Sequence, residues 1–286
     1  MKIGIIGAEN SHTVAIAKVV NIEKRIRGCS VDYVWGETPA FARQAAEAGR
    51  IPHVVRSPRQ MLGKVDAVVV DHRHAKYHLP AVWPFVEAGI PTFVDKPFCY
   101  RSSEGRRFLR VAEKKGTPVT SFSVLPHYDD FEMFKKKLTG LGTILSAYSY
   151  GPCDLKSKWG GVFFYGVHQV EAMLRAFGYD VQAVRVIRNG QDAVGQLFYP
   201  SGLIATMALI KEGCPGFGIG AVGSKGSFFT ALKSATNPYL KGARIFTRMF
   251  KTGKEPLTHE QILRPVQVLE AVEKSVKSGR TEKVGK

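Results

Sequence analysis

Cysteines and acids are scarce in this sequence, and long apolar runs are absent. The four cysteines, Cys29, Cys99, Cys153 and Cys214, stand far apart, and no two form a C-x-x-C pair. That argues against a disulfide framework and a cysteine-built zinc site, and it fits a reducing compartment. No uninterrupted stretch of ~18 apolar residues occurs, so no segment is expected to span a membrane. A basic leader with a long apolar core is also missing. Met1 passes almost at once into an apolar strand, so no signal peptide is expected and the expected location is cytoplasmic. Internal repeats and low-complexity segments are absent.

Acids number 24 against 41 lysines and arginines, a formal net charge of +17. Such a balance permits binding to nucleic acid or to anionic small molecules. A nucleic-acid footprint would gather the cations into one stripe. Here they are scattered, and the densest group, Lys135-Lys136-Lys137, falls on the expected solvent face of a helix. Neither nucleic acid nor membrane is expected as a partner.

What is present fits two globular domains. The chain has 286 residues, more than one domain of ordinary size. Through about residue 122, strand-length apolar runs alternate with helix-length stretches. Lys2–Gly7, Val31–Trp35, Val65–Val70, Pro91–Val94 and Val119–Val124 read as strands. Helices are expected near His12–Lys24, Pro39–Gly49, Leu79–Ala88 and Glu104–Lys115. Strands this continuously apolar belong to a parallel sheet covered on both faces. The fold class is therefore α/β, with an N-terminal Rossmann parallel sheet over residues 1–122. Residues 123–286 are expected to form an α+β domain with a mostly antiparallel open sheet. Its expected helices cover Tyr128–Leu138, His168–Phe177 and Ile262–Lys277. Its expected strands cover Thr143–Tyr150, Val181–Arg188, Ala193–Tyr199, Leu203–Ile210 and Gly218–Val222, divided by turn signals such as Asn189-Gly190.

Three places carry chemistry. The first strand turns into its helix through Gly7-Ala8-Glu9-Asn10-Ser11-His12. Gly7 permits a tight turn, and the helix start offers amides to a pyrophosphate. Glu9 and His12 stand where a dinucleotide fingerprint has its second and third glycines, so a plain strand-turn-helix stays open; Asn10 and Ser11 remain as donors. Glu37, just past the second strand, is placed to accept from both ribose hydroxyls of NAD and to repel a 2′-phosphate, or is a solvent-facing acid. Val94-Asp95-Lys96-Pro97 closes a buried strand. A lysine there can steady a substrate oxygen as it loses its proton, or simply end a strand at the surface. A fourth cluster, Asp71, His72, His74 and His78, raises a metal site, but convergence cannot be read from spacing, and no metal is expected.

The stretch DAVVVDHRHAKYH, followed by LPAVWPFVEAGIPTFVDKP, resembles the glucose-fructose oxidoreductase / inositol dehydrogenase / rhizopine catabolism (Gfo/Idh/MocA) oxidoreductase family. His78 matches the family histidine, Lys96-Pro97 its Lys-Pro, and Asp95 stands for its Glu. The likeness continues through Gly166-Val167-His168-Gln169-Val170-Glu171, Gly223-Ser224-Lys225-Gly226 and the closing Phe250–Pro256 segment. It implies a probe set of expectations: an NAD(P)-dependent dehydrogenase acting on the CH–OH groups of a sugar, cyclitol or related compound, with NAD the expected cofactor and NADP not excluded. Lys96 and His168 would be catalytic. Gly7, Asn10, Ser11, His12, Glu37, Arg73, His74, His78, Asp95 and Lys96 would line the dinucleotide, and the open sheet would join subunits of a homo-oligomer. The sequence departs from the family at three places. Phe164 takes the position of an acid four residues before His168, Glu171 replaces an Asp three residues after it, and Arg73-His74 replaces a Thr-Pro. Phe164 and Glu9 motivate an alternative, a dinucleotide-binding sensor or regulatory protein without turnover. Tyr165 and Glu171 are the candidates to hold the His168 ring.

Overall fold

The structure is a computed structural model and describes residues 1–233 and 237–285. Two units emerge from its contacts, one built on residues 1–122 with 237–262, the other on 123–233 with 263–285.

In the first unit six strands form a sheet: β1 (Lys2–Ile6), β2 (Ser30–Trp35), β3 (His53–Val54), β4 (Ala67–Val70), β5 (Thr92–Val94) and β6 (Val119–Ser121). Their order is β3-β2-β1-β4-β5-β6, and every pairing is parallel. The central strands do not alternate, because helices cover both faces: Ile3, Ile5 and Ile6 of β1 and all of β4 are fully buried. Strand order reverses between β1 and β4, and a doubly wound sheet opens its ligand crevice at the carboxyl ends of the strands at such a point. Gly7 follows β1 there, and Asp71 follows β4.

The helices of this unit are α1 (Ser11–Ala17), α2 (Pro39–Gly49), α3 (His78–Glu87) and α4 (Ser102–Lys115). The α2 boundaries agree with expectation because both ends are written locally. Thr38 caps it by accepting from the Phe41 amide, Pro39 opens it, and Arg50 leaves it in the left-handed conformation. The first helix differs: after α1 the chain widens into π turns over Lys18–Ile22, which keep Val19 and Val20 buried.

The expected second domain, continuous from 123 to 286, needs correction. Its final residue, Lys286, lies outside the described residues, and residues 237–262 group with the first unit. An unexpected helix, Pro238–Thr252, accounts for this. Its buried residues Leu240, Ala243, Phe246, Thr247 and Phe250 recur at helical spacing. Phe246 stacks on Phe93 of β5 with ring centroids 4.6 Å apart. A strand buried on both faces needs a cover, and this helix supplies it late in the chain.

The second unit holds β7 (Ile144–Pro152), β8 (Ala183–Asn189), β9 (Asp192–Phe198), β10 (Ile204–Ile210), β11 (Phe217–Gly223), β12 (Gly226–Leu232) and β13 (Glu282–Lys283), ordered β12-β11-β7-β10-β9-β8-β13. All neighbours are antiparallel except β7 and β10. Helices α5 (Asp129–Leu138) and α6 (Val162–Phe177) pack on this sheet. Lys135, Lys136 and Lys137 are exposed on α5, as the sequence suggested. Helix α6 begins six residues before the expected His168, since the apolar run Val162-Phe163 forms its buried first turn. The other face of the sheet carries exposed apolar side chains among the described residues. By register, Tyr148, Ile187, Val194, Ile204 and Phe229 share it, and each is at least 40% exposed. Phe229 lies flat over Gly220, where a Cβ would collide with its ring.

Candidate functional site

The turn after β1 requires its glycine. Gly7 has φ +110°, and a Cβ on it would meet the Asp71 carbonyl carbon at 2.7 Å. The backbone of the first turn therefore lies directly on the residue that ends β4. The next two amides, of Ala8 and Glu9, both donate to Glu37 Oε2 at 2.9 Å. Glu37 is thus no loose surface acid. Its other oxygen, Oε1, is buried and has no protein partner. An orphaned acceptor beside the glycine turn suits the ribose hydroxyls of a dinucleotide, so the residues present fit that group.

Beneath the turn lies a polar knot. Asp71 is fully buried; it accepts from Asn10 Nδ2 at 2.7 Å through Oδ1, and Thr13 Oγ1 lies 2.7 Å from its Oδ2. His12 Nδ1 is 3.1 Å from Asp95 Oδ2 and 3.6 Å from Asp71 Oδ1. Lys96 Nζ is 3.3 Å from Asp95 Oδ2, and both of these side chains are less than a tenth exposed. Possible donor atoms of His12, Asp71 and Asp95 gather within 4.8 Å, and the cation set against them is the Lys96 ammonium. Burial pushes the Asp95 carboxyl up, but Lys96 and His12 outweigh it and hold Asp95 well below the ordinary carboxylate range. Burial pushes Asp71 the other way, and the Asp95 charge adds to it, so Asp71 sits well above that range. Burial also lowers His12, against the pull of Asp95.

The histidine-rich run does not converge as the sequence-based metal cluster would need. Both ring nitrogens of buried His78 face backbone carbonyls, Nδ1 that of Pro97 at 3.0 Å and Nε2 that of His72 at 2.8 Å. His78 ties the Lys96-Pro97 turn to the end of β4, which leaves no ring nitrogen for a dinucleotide and corrects its expected role as a direct contact. His74 Nδ1 accepts from the Lys76 amide at 3.3 Å and caps a short turn, so it is held as the neutral ring; burial, with Lys76 next, lowers it to about 4. Buried His72 packs beside Trp35 and is lowered to about 3 by burial and then by His78. Arg73 is half-buried between them, and Ser11 is exposed at the start of α1.

In the second unit, His168 lies on α6. Its Nδ1 is 2.7 Å from Ser123 Oγ, and Glu171 Oε2 accepts from the Ser123 amide at 2.7 Å. Ser123 Oγ also accepts from the Leu125 amide at 3.1 Å. The ring is therefore held by Ser123, with Glu171 one bond behind. Tyr165 packs on the ring at 5.7 Å between centroids, and Phe217 makes an edge contact at 5.3 Å. Ser123 carried no signal in the sequence. Asp71 and Thr13 carried a faint one, since an acid closing the run Val68-Val69-Val70 must be buried with its neighbours.

A parallel sheet of this order, with a glycine turn at its switch point and an acid after β2, has the architecture of a dinucleotide-binding Rossmann domain. Residues 1–122 match the model of the Gfo/Idh/MocA oxidoreductase family, NAD-binding Rossmann fold. The first domain is thus similar to the NAD-binding domain of an oxidoreductase family. No curated protein matches the sequence at a significant level. Solved structures do share the whole fold. A scyllo-inositol dehydrogenase from Lactobacillus casei, with bound NAD(H) and scyllo-inositol, is 14% identical, with a TM-score of 0.85 over 99% of each chain. A myo-inositol 2-dehydrogenase from Lactobacillus plantarum is 15% identical, with a TM-score of 0.84 over 100% of this chain and 99% of that one. An oxidoreductase from Agrobacterium radiobacter, in complex with NAD+, L-tartaric acid and magnesium, is 15% identical, with a TM-score of 0.83 over 100% and 98%. Among the described residues no helix is long and apolar enough to cross a membrane.

Proposed function

We propose that the protein oxidises a secondary hydroxyl of a sugar- or cyclitol-like compound, with Lys96 and His168 acting on that hydroxyl. The observation that carries this reading is the buried Lys96–Asp95 pair at the carboxyl end of β5, beside the glycine turn. A dry ammonium is a stronger stabiliser of an oxygen gaining negative charge than one in water. NAD, when bound, supplies the hydride acceptor. His168 takes the hydroxyl proton, with Ser123 fixing the ring from its Nδ1 side. Lys96 holds the oxygen as its charge grows, and Asp95 keeps the ammonium in place. The polyol substrates of the structural relatives support the substrate class. A panel of sugars and cyclitols, assayed with NAD for the appearance of NADH, tests it. Tight NAD binding with no turnover across the panel would move the protein to the non-catalytic alternative that Phe164 and Glu9 raised.

Glu37 supports the choice of NAD over NADP. Its carboxylate is fixed by two amides with one oxygen left to accept, so a 2′-phosphate would bring like charge onto it. NADP is expected to bind at least ~10-fold more weakly than NAD by calorimetry, and Glu37→Gln should narrow that gap. Tighter NADP binding would reverse the assignment and make Arg43 the suspected phosphate partner.

The exposed apolar face of the second sheet supports a homo-oligomer. An apolar face of this kind is stable in water when a second copy covers it. Light scattering should find more than one copy per particle, and Ile204→Asp, at the centre of that face, should lower the mass toward the monomer. A monomeric wild type would end this reading.

A further inference from the structure

We infer that Asp71 is a carboxylic acid rather than a carboxylate at neutral pH, and that this neutral state is what lets an anionic pyrophosphate rest on the Gly7 turn above it. The inference rests on the dinucleotide placement given above and adds a residue to it.

The argument starts from counting protons. Thr13 Oγ1 lies 2.8 Å from the Gly7 carbonyl oxygen and 2.7 Å from Asp71 Oδ2. A hydroxyl has one hydrogen, and a carbonyl oxygen can only accept. Were Asp71 ionised, both neighbours would be acceptors, and one of two short contacts would lack a proton. A proton on Asp71 Oδ2 satisfies everything at once. Asp71 donates to Thr13, Thr13 donates to Gly7, and Asn10 donates to Asp71 Oδ1, which is the carbonyl oxygen of a neutral acid.

The distribution of charge agrees. Facing Asp71 are His12 from α1, Asp95 and Lys96 from the end of β5, with His78 from α3 and Arg73 acting on the same group of side chains. Lys96 and His12 both stand closer to Asp95, His12 Nδ1 at 3.1 Å from Asp95 Oδ2 against 3.6 Å from Asp71 Oδ1. The Asn10 amide and the Thr13 hydroxyl that touch Asp71 are both neutral, and the neighbouring Asp95 is an acid. Asp71 is fully buried, where an unpaired carboxylate is costly and the proton is retained instead. Burial, followed by the nearby Asp95 charge, moves its titration well above the usual range.

The consequence falls on the turn. Gly7 rests on the Asp71 backbone, so the side chain lies just below the amides of the Gly7–Ser11 segment. Glu9 and Glu37 already bring two acids to that segment. A third buried negative charge would oppose a pyrophosphate, whereas a neutral Asp71 is only a hydrogen-bonding strut. Asparagine imitates the acid form: its carbonyl oxygen accepts from Asn10, and its amino group donates to Thr13.

The test compares wild type with Asp71→Asn, first without nucleotide. A carboxyl whose folded pKa is raised stabilises the fold below its unfolded pKa, and that contribution is lost as pH rises towards the folded value. The Tm of Asp71→Asn should therefore gain on that of wild type steadily between about pH 5 and about pH 8, and exceed it at the upper end. A variant less stable than wild type by an amount that grows with pH would show an ionised Asp71 and overturn the inference, as would a difference that does not change with pH. Titration with NADH, followed by fluorescence, then checks the consequence. At about pH 7 the two proteins should bind NADH within ~3-fold of each other, because both present a neutral group. Binding ~10-fold or more tighter to Asp71→Asn would mean that wild type carries a charge there, and binding weaker by as much would mean that an amide cannot replace the acid; either overturns it. Absence of NADH binding in both proteins sinks the placement of the dinucleotide instead, while the Tm comparison still decides the state of Asp71.

Discussion

Replacing Lys96 by Ala should lower kcat by about 10²–10³-fold while leaving NAD affinity within ~2-fold of wild type. The reason is where the ammonium stands. It stands beside Asp95 at the end of β5, where its charge is expected to act on a substrate oxygen rather than on pyrophosphate. The same change leaves Asp95 buried without its closest cation, which costs roughly 3–5 kcal/mol of stability. Chemistry and stability are therefore lost together, and a second substitution separates them. In Lys96→Ala/Asp95→Asn the orphaned charge is gone, so Tm should recover most of its fall while turnover stays lost. Recovery of turnover in the double variant, or wild-type kcat/KM in Lys96→Ala, would remove Lys96 from the chemistry and leave it as the partner of a buried acid.

His168→Ala should cost about 10²–10⁴-fold in kcat/KM, the usual worth of a general base. The base must be unprotonated to take the hydroxyl proton, so wild-type kcat/KM should rise with pH along an acid limb. That limb should vanish in His168→Ala. Ser123→Ala should keep the limb but displace it and lower the rate, because the Ser123 hydroxyl lies 2.7 Å from the ring Nδ1. Glu171→Gln should do the same more weakly, since Glu171 accepts from the backbone amide of Ser123. If Glu171→Gln proved as damaging as Ser123→Ala, the chain of contacts would run directly from acid to imidazole. An active His168→Ala would return His168 to packing and favour a protein that binds NAD without turnover.

The parallel sheet was legible because burial on two faces leaves its mark in every residue of a strand, as in Ala67–Val70. The ends of α2 were legible because Thr38 and Pro39 write them locally. The same reasoning marked Gly7 and Lys96, residues whose types are demanded by a turn and by a strand end. The helix Pro238–Thr252 escaped although its apolar period is regular, because its purpose is to cover Phe93, which lies far away in the chain.

The residues that decide the site share that property. By itself the sequence determined a Rossmann-type first domain, the family resemblance, and the places where a lysine and a histidine stand ready for chemistry. Each of these follows from local pattern, periodicity or the order of motifs. Only the tertiary structure decided that Glu37 grips the turn, that His78 faces two carbonyls, that Ser123 stands 2.7 Å from His168 Nδ1, and that Asp71 lies beneath Gly7 beside Asn10 and Thr13. Protonation and hydrogen-bond partnership depend on which groups meet in a dry space. Residues such as Asn10 and Asp71 are 61 positions apart in sequence and 2.7 Å apart in space, and no spacing rule along the chain encodes that meeting.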